Sequence, residues 1–237
     1  MPEPRGSSPW FYVGIGCVVA LGFLSSATFT VGLLGYRWVK QLETETRDPS
    51  IRAARVREVL GCEELPQGYH PVVGFSLPFV TDIAVLSDRP AAANGQHEPF
   101  DERGFIYVKL LAAGGQDEQE VRDYFEGRTE DPEALRRNRI RLRTREPLGR
   151  GVIEVPGQTL LYIAQRGEVE LSEHSGDGLN AMILVDCPQD RKLRLGIWFG
   201  PDPDPGPAAE AGAAPLAGTP ADPEAIRAFM AHFQLCG

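Results

Sequence analysis

Residues 179–200 read LNAMILVDCPQDRKLRLGIWFG. Two apolar, strand-like runs, 179–186 and 192–199, are joined by the short polar segment CPQDRK. Runs this short, rich in Ile, Val, Leu and Trp and bounded by turn residues, read as two strands of a hairpin, and a hairpin pairs its strands antiparallel. The sheet of this protein is therefore expected to be mainly antiparallel.

Outward from this hairpin, the same reasoning places strands at 72–77, 80–86, 104–111, 139–144, 151–155 and 158–165. SGDG at 175–178 reads as a turn before the 179–186 strand. Helices are fewer. DEQEVRDYFEG has Asp117 as N-cap, Glu120 completing a capping box, and Val121, Tyr124 and Phe125 as its apolar stripe. DPEALRR, from Asp131, starts a shorter helical piece. DPEAIRAFMAHF gives a final helix within 222–235: Asp222 caps it, Pro223 takes the first position, and Ile226, Phe229, Met230 and Phe233 share one face. Between 201 and 221 the chain is rich in Pro, Ala and Gly and reads as a tether. An apolar helix face must dock on something, and the sheet is the receiver. The fold class is α+β, one domain over 62–237 with packed helices.

This order, an apolar strand set after a Pro/Gly entry, a helix, a meandering sheet and a last amphipathic helix, resembles the layout of the PsbP-like sandwich. The resemblance covers roughly residues 65 to 236 and transfers no functional residue, because a fold does not specify a function.

Before the domain, Gly6 to Tyr36 contains no charged side chain, and Trp10, Phe11 and Tyr12 at one end and Tyr36 and Trp38 at the other bracket the apolar run. As a helix, residues 11–36 would extend roughly 39 Å, enough for a hydrocarbon core of about 30 Å, with aromatic residues at both interfaces. A tail over 1–9, a single transmembrane helix over 10–38 and a helical stalk over 39–61 follow. In the stalk, Asp48 is the N-cap of a restarted helix, Pro49 its first residue and Gly61 its exit. Cleavage of a signal peptide near SSA at 25–27 is the rival reading, but the apolar run continues beyond it. Cys17 reads as an ordinary buried membrane residue.

Orientation pulls two ways. Arg37, Lys40, Arg47, Arg52, Arg55 and Arg57 follow the span and favour a cytoplasmic domain. Cysteine usage favours the opposite side, where Cys62, Cys187 and Cys236 can form a disulfide. Cys62 with Cys236 is the first expected pair, since domain ends often lie close together, and Cys187 with Cys236 is the second. The expectation taken forward is a single-pass protein of a bacterial inner membrane with an extracytoplasmic domain. Abundant Ala, Gly, Pro and Arg beside scarce Lys match the products of GC-rich bacterial genomes.

The formal net charge of -9 argues against nucleic acid, whose phosphates need a basic footprint. One local exception is RRNRIRLRTR at 136–145, where Arg139, Arg141, Arg143 and Arg145 alternate with Ile140, Leu142 and Thr144. Such alternation is the pattern of a half-buried strand with a charged side. Its functional alternative is a face for anionic lipid or an acidic envelope polymer.

No zinc, calcium, phosphate-loop or nucleophile-elbow motif is present. His70, His97, His174 and His232 are far apart in sequence, and Asp202 and Asp204 are too few for a calcium site. Neither a metal nor a cofactor is expected, and no residue is assigned a catalytic role. The function expected is a membrane-anchored, non-enzymatic accessory or binding module. The alternative is an enzyme whose site is assembled near 66–88 from Tyr69, His70, Asp82 and Asp88.

Overall fold

The computed structural model describes residues 48–77, 80–90, 100–110, 115–131, 141–171, 174–189, 192–203 and 216–236, with backbone alone at 115–117, 141–145, 169–171 and 174–177. They belong to one compact unit, Thr46–Gly237. Its elements in chain order are α1 (Pro49–Leu60), β1 (His70–Leu77), β2 (Thr81–Ser87), β3 (Gly104–Leu110), α2 (Gly115–Phe125), β4 (Arg141–Val155), β5 (Gln158–Leu171), β6 (His174–Asp186), β7 (Leu193–Gly200) and α3 (Pro223–Met230). The seven strands make one antiparallel sheet in the order β1-β2-β3-β7-β6-β5-β4. This is an α+β domain, and β6–β7 is the hairpin expected from 179–200. The span expected to cross a membrane over 10–38, the tail before it, residues 39–47 of the expected stalk, the helical piece expected from DPEALRR beyond Asp131, and residues 204–215 of the expected tether lie outside the described residues. Among the described residues no helix is long and apolar enough to cross a membrane.

Helix α1 starts as its sequence dictates. The Asp48 carboxylate accepts from the backbone N–H groups of Ser50 (2.8 Å) and Ile51 (3.4 Å), Pro49 follows, and Gly61 ends the helix at φ 61°. The helix is no free stalk, however. Val56 and Leu60 are fully buried in the core. Gly74 of β1 permits this approach, because a Cβ there would come within 2.7 Å of Val56.

Three local expectations are corrected. From Arg141 on, the strands expected at 139–144 and 151–155 are one strand, β4, whose bulges at Thr144/Glu146 and Pro147/Gly149 accommodate Pro147 and the neighbouring glycine. Pro147 is tolerated because β4 is an edge strand. SGDG is not a turn: Gly176, Asp177 and Gly178 pair with Val169, Glu168 and Gly167 inside β6. Helix α2 begins at Gly115, so Asp117 lies in its first turn and does not cap it.

The first face of the sheet carries Ala84, Leu86, Phe105, Tyr107, Leu160, Tyr162, Ile183 and Trp198 and is sealed by α1 and α3. At the centre, the Phe229 ring lies within 4.6–5.2 Å of Trp198, Phe105, Tyr69 and Phe233. The Asp222 side chain accepts from Glu224 N–H at 3.0 Å, which confirms the cap read from sequence.

The tail after α3 is tied down from several directions. Gln234 N–H donates to Leu60 O at 3.2 Å, and the fully buried Arg194 donates from Nε to Leu235 O at 3.0 Å. A disulfide joins Cys187 to Cys236 with their Cα atoms 5.4 Å apart. The pairing placed first, Cys62 with Cys236, is thus corrected: Cys62 is a free, half-buried thiol. The reason is that Cys187 ends β6 beside the tail, where Cys236 Sγ also approaches Asp186 O.

Candidate functional site: the second face of the sheet

Alternation along each strand sends every other side chain to the second face. On β5, β6 and β7 these are Leu161, Ile163, Met182, Leu184, Leu193 and Leu195, all 4 % exposed or less, packed with Val121 and Phe125 of α2. The Asp186 carboxylate fixes the helix there by a two-pronged pair with Arg122 at 2.7 and 2.8 Å. That guanidinium holds the Asp186 carboxyl below its ordinary range.

On β1, β2 and β3 the same face carries Val73, Phe75, Ile83, Val85, Ile106 and Val108. None of these six is buried; each is partly exposed. Registers Phe75–Ile83–Val108 and Val73–Val85–Ile106 place them in two adjoining rows. In β2 both parities are apolar, with Ala84 and Leu86 buried on the first face while Ile83 and Val85 remain partly exposed on the second. A strand apolar on both sides is the sequence of a strand covered on both sides.

One row further along, the face changes character. Ser87, Gly104, Phe199, Asn180 and Gln165 are neighbours in register. Phe100 packs edge-on to Phe199 with ring centroids 4.9 Å apart, over Gly104, where a Cβ would strike both rings. Asn180 is 0 % exposed, and neither its Nδ2 nor its Oδ1 has a hydrogen-bond partner. Native proteins rarely leave a buried amide in that state, since each unmet group costs about 1–3 kcal/mol.

The residues singled out from sequence are distributed differently. Arg139 lies outside the described residues. Arg141, Arg143 and Arg145 are on β4, and the register sets Arg141 opposite Glu170 and Arg143 opposite Glu168. Two of the arginine positions are thus in register with acidic positions of β5, whereas Arg145 falls in the bulge between Thr144 and Glu146.

Of the 66–88 group, Tyr69 accepts a hydrogen bond from Trp198 Nε1 at 2.7 Å, and burial pushes its hydroxyl pKa up. Asp82 bonds Ser76 and lies 3.6 Å from Lys109 Nζ. Burial raises the Asp88 carboxyl, but backbone N–H groups of Glu102, Asp101 and Arg103 outweigh it and hold the group below its ordinary range. His70 begins β1 opposite Ser87, beside Asp88 in the chain, whereas Asp82 sits near the other end of β2. Tyr69, His70 and Asp88 thus lie at one end of the β1–β2 pair, close enough for Asp88 to act on the Tyr69 hydroxyl, and Asp82 lies apart from them.

Asp202 pairs with Arg166, which also holds Glu146 at 2.7 Å, so this acid supports structure. His232 Nδ1 contacts the carbonyls of Ala228 and Phe229 at 3.0 and 3.2 Å. Together with Cys62, Arg57, Glu58 and Gln234 it lines a shallow depression of about 900 Å³. Burial pushes the Cys62 thiol pKa up, away from nucleophilic readiness. Among the described residues no group of three or more His, Cys, Asp or Glu is placed to hold a metal ion.

Sequence reasoning missed the second face and Asn180. The signals were available: both parities of TDIAVL are apolar, and Asn180 is the single polar residue in the phase of LNAMILV that also holds Met182 and Leu184. No family model, no curated protein and no solved structure matches this chain, so its own geometry must carry the functional argument.

Proposed function

We propose that this chain is a membrane-anchored, non-enzymatic binding module of the bacterial envelope that holds an apolar ligand against the second face of its sheet. One observation carries the reading: six apolar side chains of β1–β3 stay partly exposed on a face whose β5–β7 half is closed by a helix. Contiguous apolar surface of this kind marks interaction sites in soluble domains. The polar groups nearest in character to catalytic residues, Asp82, Asp88, Asp186 and Asp202, are engaged in pairs and caps, which favours binding over chemistry.

Placement follows from two supports. The uncharged run 11–36 fits a single span, and the Cys187–Cys236 disulfide suits an oxidising compartment, hence an extracytoplasmic domain. The PsbP-like layout is compatible with the element order, and anionic lipid or polymer is a secondary partner for the arginine strand.

The test is saturable fluorescence enhancement of an apolar naphthylamine dye by the full chain in nanodiscs, compared with empty nanodiscs. Phe75→Ser should reduce it severalfold while circular dichroism and Tm hold. Dye binding that is absent, or indifferent to Phe75→Ser, defeats the reading.

A further inference from the structure

We draw no further inference here: the strongest candidate, the half-exposed apolar surface of β1, β2 and β3 on the second face of the sheet, belongs to the site already described, and nothing in the structure shows what covers it.

Discussion

Gln158 and Leu235 are joined across the fold: Leu235 N–H donates to Gln158 Oε1 at 3.2 Å, while Gln158 Nε2 donates to the carbonyl of Phe233 at 3.0 Å. A side chain at the start of β5 thereby pairs with the tail as another strand would. It is 5 % exposed, so water cannot replace it readily. Gln158→Leu leaves a buried N–H and C=O unmet and should cost about 2–4 kcal/mol. Urea unfolding checks this, and a change below 1 kcal/mol would show that the tail finds other partners.

Phe229 is the centre of the aromatic group on the first face. Phe229→Ala should lower unfolding free energy by about 3–5 kcal/mol, as large-to-small core changes do. A loss under 1 kcal/mol would make α3 peripheral.

Cysteine chemistry gives a direct readout. Cys187 and Cys236 should react with iodoacetamide only after reduction, and Cys62 without it, slowly at neutral pH because burial keeps its thiol protonated. Peptide mapping decides the matter. Removing the bridge with Cys187→Ser should cost about 2–4 kcal/mol.

Asp186 makes stability depend on acid. Its carboxyl is held below the ordinary range by Arg122, so the pair's stabilisation is fully present above about pH 4, the unfolded value, and is lost as pH falls through the lowered folded value. Asp186→Asn should remove part of this acid sensitivity. Both side chains are partly exposed, so the pair should contribute only about 1 kcal/mol at neutral pH. Urea midpoints between pH 2 and pH 5 measure it.

The arginine strand acquires a specific test from the register. Charge reversal on an exposed strand face ordinarily changes stability little, but Arg143→Glu would set like charges at positions directly opposite, 143 and Glu168. It should cost about 0.5–1 kcal/mol, and adding Glu168→Arg should restore most of the loss. No recovery in the double variant would mean the pair does not interact.

What could be read from sequence was what depends on near neighbours. Asp48-Pro49 and Asp222-Pro223 announced their helices, because a cap is satisfied within three residues. The 187–192 hairpin did the same for β6 and β7. Illegible were features fixed by partners distant in the chain. Gly176 and Gly178 look like turn residues until β5 pairs with them, and Cys236 has two candidate partners until the end of β6 arrives beside the tail. Asn180 was passed over because a single amide in a strand signals nothing until its neighbours are known.

The strand order has a kinetic meaning. β1 to β3 form one meander of chain neighbours, and β4 to β7 form another. Within the sheet the two are joined by the β3–β7 ladder, which runs from Gly104–Phe199 to Leu110–Leu193. Each half can assemble early from local hairpins, but the seam closes a long loop and must wait for it. Until then β3 and β7 are open edges flanked by apolar side chains, the form in which strands of different molecules pair with each other. The seam is thus expected to be the slow step of folding, and the point at which crowded, unfinished chains would aggregate.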